Sequence, residues 1–287
     1  MVLVPAYEAL DLAEKILSEY EVQFSKVRDR LPLHLGIIAF HRKTPLYVVM
    51  DAGKRLIEAF KEKTKTELAE VISIKDIKDK NLGKSKEIKI MSETYSRIPL
   101  KWKISYSTGD PEQEDCWHPY IRVYNSDISA RTLCFDYTGN GDYVVHVKEL
   151  EEKDKIKIEP SYFRLLYLES ANDRFGVDED LRPIDHIHYL KKLWNIAENK
   201  IKSKEWSISQ IYAYWEEVRK RRKNYDEDAF EKFVKAALIN ILEIKPQKDK
   251  ELFYRFFQAT IDGSLDLCLY WNFQIRKVKI GEGDRGK

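Results

Sequence analysis

The sequence predicts an α+β protein in three successive parts. Three observations carry that expectation. Apolar residues recur with helical spacing near the start, alternate with a period of two in the middle, and return to helical spacing toward the end. Turn chemistry gathers in the middle part, at Gly109-Asp110-Pro111 and Thr138-Gly139-Asn140-Gly141-Asp142. Hydrophobic residues make up 43% of 287 and Gly plus Pro are few (11 and 9), a globular composition and not a disordered one.

Taken in order, Val2, Leu3 and Val4 favour β structure and Pro5 ends the run, so the chain is expected to open on a strand. From Tyr7 to about Arg28, Leu10, Ala13, Leu17, Tyr20, Phe24 and Val27 recur at spacings of three and four and predict an amphipathic helix. Leu31 to Phe40 is a short apolar run with Gly36 and β-branched Ile37 and Ile38, which favours a buried strand. Thr44 and Pro45 suit an N-cap and first turn, opening a second helix through Val48, Val49, Ala52, Leu56 and Ala59. Lys61 to Lys89 is charged and weakly patterned, with Asn81-Leu82-Gly83 as turn chemistry, and reads as a connector.

Short alternating runs then predict strands at 102–106, 120–124, 133–137, 143–147 and 155–158, a small antiparallel β module. From Ile184 to about Ile280 the spacing is helical again and predicts a helical bundle. The expected domains are therefore 1–70, 71–180 and 181–287.

Charge and cysteine content narrow the function classes. Lys plus Arg (50) nearly cancel Asp plus Glu (48), so bulk charge makes no case for nucleic acid or membrane binding. The balance is uneven, however: residues 181–287 hold 22 bases against 16 acids, and residues 1–180 hold 28 against 32. The helical end is the better candidate for meeting a polyanion. Three cysteines are too few to staple a chain of this size and favour a reducing, cytoplasmic compartment. The opening Met1-Val2-Leu3-Val4-Pro5 is too short for a signal peptide or membrane helix.

Few constellations suggest chemistry. Cys116, His118, Cys134 and His146 are zinc-ligand types within the β module, but their spacing fits no standard zinc pattern and strand residues of these types also fill cores. His34, His41, His186 and His188 have no patterned nucleophile or second titrating group. Phosphate-cradling glycine loops are missing, and Gly281, Gly283 and Gly286 sit in a tail. Arg219-Lys220-Arg221-Arg222-Lys223 is the densest basic run. It suits several phosphates of RNA, or equally a helix C-terminus whose dipole favours cations. Trp194, Trp206, Trp215, Phe253, Phe256, Phe257 and Trp271 stand at helical spacing, where aromatics usually form core.

The order strand, helix, strand, helix over the first 65 residues resembles the latter part of a ferredoxin-like or Palm domain without its opening elements. Arg30-Leu-Pro-Leu-His-Leu-Gly-Ile-Ile-Ala-Phe-His-Arg-Lys-Thr-Pro-Leu46 and Met50-Asp-Ala-Gly-Lys-Arg-Leu56 look like the Palm domain of type III CRISPR effector large subunits, the Cas-ten group, and its Csx-eleven type in particular. Cys116-Trp-His-Pro-Tyr-Ile-Arg-Val123, Val144-Val-His-Val-Lys-Glu-Leu150 and Pro160-Ser-Tyr-Phe163 are similar to that type too, as is a helical C-terminal region.

The resemblance implies a part in antiviral defence, alongside a small subunit, an upstream half of the large subunit, crRNA and target RNA. In the wider family two Palm domains join ATP into cyclic oligoadenylates with a Gly-Gly-Asp-Asp turn on two metal ions. That turn would precede Met1, and the Csx-eleven type is degenerate there. The family's Ala-Lys at the end of the second helix is Ala59-Phe60 here, with Lys61 about 100° further around the helix. The His-Asp nuclease pair is missing; Asp185-His186 is reversed and follows Pro183. The implied role is non-catalytic, structural and RNA-proximal, with no cofactor. The alternatives are half of a cyclic oligoadenylate synthase completed by a partner chain, and an RNA-binding module acting through Arg219 to Lys223.

Overall fold

The computed structural model describes residues 1–79, 83–108, 110–124, 131–136, 142–176 and 181–275. Asn81, Leu82, Gly109, the turn at 138–141 and the glycines of the tail lie outside them. The protein is α+β, and its contacts divide it into two units. One is Asp11–Asp185; the other comprises Met1–Leu10 and the described residues from His186 onward.

The first unit holds two sheets. Helix α1 (Ala6–Gln23) buries Ala13, Leu17 and Tyr20 on one stripe and ends five residues before the predicted limit, with residues 24–30 in turns. Strand β1 (Leu35–Phe40) is followed by α2 (Leu46–Lys63), whose Val48, Val49, Ala52, Leu56, Ala59 and Phe60 are buried. Pro45 occupies the N-cap of α2 without a side-chain hydrogen bond, one residue away from the expected Thr44 cap.

Two sequence expectations do not hold. Met1–Pro5 forms no strand: Met1, Val2 and Leu3 are exposed, because three β-favouring residues make a strand only when a neighbour supplies the ladder. Residues 61–89 are not a connector. After α2 they form the long hairpin strands β2 (Glu67–Asp79) and β3 (Gly83–Met91), antiparallel from Glu70–Met91 to Asp79–Gly83. Ala69, Val71, Ile88 and Ile90 are buried on one face, but toward the turn that same face carries Asp76 opposite Lys86 and Lys78 opposite Lys84, and an irregularity between Val71 and Ser73 breaks the alternation that would have announced β2.

The module continues with β4 (Leu100–Ser105), β5 (Tyr120–Tyr124), β6 (Cys134–Asp136), β7 (Asp142–His146) and β8 (Lys155–Ile158), in the spatial order β4-β3-β2-β8-β5-β7-β6. Buried residues from both ends of this order, among them Trp102, Ile104, Ile121 and Val145, join one core, so the sheet curls over its own inner face. Strand β9 (Tyr162–Leu168) then returns to pair in parallel with β1, Leu35 opposite Phe163 through Phe40 opposite Leu168, and β10 (Arg182–Pro183) lies antiparallel to β9. The whole seven-stranded module is thus inserted between α2 and the strand that completes the β1 sheet. Tyr162, Leu166 and Leu168 pack against the buried face of α2.

The second unit is helical: α3 (His186–Lys202), α4 (Ile208–Arg222), α5 (Glu227–Asn240), α6 (Lys250–Ile261) and α7 (Ser264–Tyr270). Polar residues at the helix starts satisfy otherwise orphaned amides. Ser207 and Gln210 form a reciprocal capping box on α4, Asp226 Oδ1 accepts from Ala229 N at 2.8 Å, and Asp249 Oδ1 accepts from Leu252 N at 2.9 Å. The tryptophans and phenylalanines noted in the sequence are all buried, with Trp206 edge-on to Phe256 and Trp194 edge-on to Phe273. Among the described residues no helix is long and apolar enough to cross a membrane.

Candidate functional site

The basic run closes α4, and three of its five side chains are engaged within the helical unit. Arg219 lies over the Trp215 ring at 5.2 Å, with its Nε 3.8 Å from Asp266. Arg221 donates to Glu217 and to the Tyr225 hydroxyl, both at 2.9 Å, and covers the Phe233 ring at 4.6 Å. Arg222 donates to the carbonyls of Thr260 and, at 3.0 Å, Ile261, the last residues of α6, where the helix dipole favours a cation. Lys220 and Lys223 are exposed, with no side-chain partner among the described residues. The partners Thr260, Ile261 and Asp266 lie some forty residues downstream, which is why the sequence shows the run and not its engagement.

The four zinc-ligand types are not gathered into a site. Cys116 and His118 are exposed, Cys134 is half-buried with its thiol raised by burial, and His146 is fully buried. The His146 ring is already committed: Nδ1 accepts from Lys148 N at 3.3 Å, which puts its proton on Nε2, 2.8 Å from the Asp115 carbonyl. Neither nitrogen offers a lone pair to a metal. Among the described residues no group of three or more His, Cys, Asp or Glu side chains is placed to hold a metal ion.

His34 is structural in the same sense. Its Nδ1 accepts from Tyr162 N at 3.1 Å and Nε2 faces Thr64 Oγ1 at 3.0 Å, while its ring stacks between those of Phe60 and Tyr162. Burial lowers its pKa and keeps it neutral. His41 Nδ1 accepts from Lys43 N in a surface turn, and the buried His186 packs its ring 6.1 Å from Tyr189.

An ionic cluster that no local motif announces sits where residues 20–33 meet the β module. Arg28 is buried and donates twice to Asp185, at 2.8 and 2.9 Å, and to Glu21 at 3.3 Å. Burial opposes its charge, and Asp185, Tyr95 and Glu21 outweigh that, holding the guanidinium protonated. Asp29 is buried beside it, and burial pushes its carboxyl up despite Arg30. A gap of about 10 Å³, room for about one water, lies here between Arg28, Asp29, Tyr95, Trp102, Glu159 and Ser161.

The surrounding hydrogen bonds are spent on the chain itself. Tyr20 donates to the Leu31 carbonyl at 2.6 Å, Trp102 Nε1 to the Ser25 carbonyl at 2.8 Å, and Leu33 N to Ser161 Oγ at 3.0 Å. The arrangement locks the α1–β1 connection against the start of β9. It offers neither an activated nucleophile nor a paired acid and base within reach of each other.

Compared with models of protein families, with curated proteins and with solved structures, the chain matches none of them.

Proposed function

We propose that this chain is a non-catalytic, RNA-proximal part of a type III CRISPR effector large subunit, a cytoplasmic assembly element of antiviral defence that other subunits complete. One observation supports the reading above the rest: β1 is an outer strand. It pairs with β9 on one side, and no described strand lies on its other side. Six residues thus present an edge about 20 Å long. On α2, which packs on a face of this sheet, Leu46, Tyr47, Met50 and Ile57 are exposed on the side turned away from its buried stripe. An unpaired sheet edge and an exposed apolar helix face suit contact with strands and side chains from another chain. Two-metal chemistry on nucleotides needs clustered carboxylates, so the proposal assigns the chain no reaction of its own.

Reconstitution with the small subunit, the Palm-bearing portion and crRNA tests the reading. The chain should enter one complex on size exclusion. The variant Leu46→Lys, Tyr47→Lys, Ile57→Lys should fall out of that complex at an unchanged melting temperature, since all three side chains are more than half exposed. A chain that remains monomeric in the mixture overturns the proposal.

A further inference from the structure

The outer face of the seven-stranded sheet has a composition its inner face does not explain. Along β5, buried Ile121 and Val123 alternate with Tyr120, Arg122 and Tyr124 on the opposite face. Arg122 stands opposite Val144, and Val144 opposite Phe135, so Phe135 shares that face. The Tyr120 and Phe135 rings lie 5.5 Å apart, while Phe135 and Tyr124 are 57% and 48% exposed. On β8 the outward Lys155 and Lys157 alternate with buried Ile156 and Ile158, and the Lys157 ammonium lies 5.9 Å from the Tyr124 ring centre while donating to Asp142 at 2.6 Å.

Arg122 is incompletely used. Its Nε is buried without a hydrogen-bond partner and its Nη2 is 3.9 Å from Glu159. Beyond β8 the same face continues through Lys89, Lys101 and Lys103. Cations outnumber acids on this face, whose acids include Glu70 opposite Lys155, Glu87 opposite Lys103 and Asp142 opposite Tyr124, while over residues 1–180 acids outnumber bases 32 to 28.

Exposed rings interleaved with cations on a sheet surface fit a polyanion that carries stackable groups. An apolar protein surface laid here would strip water from Arg122 and Lys155 and supply no charge of its own. We propose that this face binds single-stranded nucleic acid, with bases stacking on Tyr120, Tyr124 and Phe135 and phosphates held by Arg122 and Lys155. Naming RNA as the natural strand rests on the function proposed above; the stacking and the charge do not.

The full-length chain titrated into labelled RNA and DNA strands of about 15 nucleotides, at salt from about 50 to 200 mM, tests this. RNA should bind, and Tyr124→Ala and Phe135→Ala should each weaken binding about five-fold or more. Lys155→Ala should reduce the slope of log affinity against log salt by about 0.7. Lys220→Ala with Lys223→Ala should leave affinity within about two-fold, setting this face apart from the basic run. Circular dichroism checks that each variant is folded.

Wild-type affinity in both aromatic variants, or no binding at the lowest salt, overturns the proposal. DNA binding equal to RNA binding supports the face and withdraws only the choice of RNA. Failed effector assembly with RNA binding intact counts against the preceding function and in favour of this face.

Discussion

At the scale of single residues, the buried titratable groups mark where the fold depends on pH. His34 is held neutral between two rings, with both nitrogens hydrogen-bonded and its pKa lowered by burial. An unfolded histidine takes up a proton near pH 6.5. Between that value and the lower folded one, the unfolded state holds the extra proton, so His34 contributes stability above about pH 6.5 that is lost as pH falls. Urea unfolding from pH 7.5 to 5.5 should show the wild type losing stability more steeply than His34→Gln, by at most about 1.4 kcal/mol per pH unit. Equal slopes would show that the ring titrates normally. None of this is visible locally in the sequence, because Thr64 and Tyr162 reach His34 from 30 and 128 residues away.

Secondary-structure elements were legible where period and burial agree. The bundle helices keep one apolar stripe each, and β5, β7 and β8 fall within a residue or two of the alternating runs that predict them. The hairpin β2–β3 was hidden because charges stand on both of its faces, Asp76, Lys78, Lys84 and Lys86 following the buried isoleucines on one of them, and the irregularity at Val71–Ser73 shifts the phase. Strand β9 carries apolar residues on both faces, as a parallel strand under cover does, and its partner β1 lies more than 120 residues earlier.

Gly83, which opens β3, belongs to this scale too. Its φ of +65° is left-handed, and a Cβ there would stand 2.6 Å from Ser107 Oγ and 2.9 Å from Pro111 Cα. Gly83→Ala should therefore cost about 1–3 kcal/mol in urea denaturation, through backbone strain and the displaced Ser107, which receives the Lys84 amide at 2.7 Å. A midpoint equal to wild type would mean that the loop relaxes freely. Of the proposed nucleic-acid face, the alternation Tyr120-Ile-Arg-Val-Tyr124 was readable in sequence; that Phe135 joins it depends on the β5–β7–β6 register, which was not.

For the molecule as a whole, the chain is organised around insertion. A seven-stranded module interrupts a β-α-β layer whose last long strand arrives only at residue 162, and that layer ends on one side at β1. The proposed role in a multisubunit effector draws its support from that edge and from the exposed apolar face of α2. It is most directly tested by amide hydrogen exchange at Leu35–Phe40, at single-residue resolution, in the isolated chain and in the reconstituted complex. Parallel pairing with β9 engages alternate amides of β1, so the others should exchange rapidly in the isolated chain and become protected on assembly. If those amides exchange equally fast in both states, β1 is not where the partner joins and the account fails.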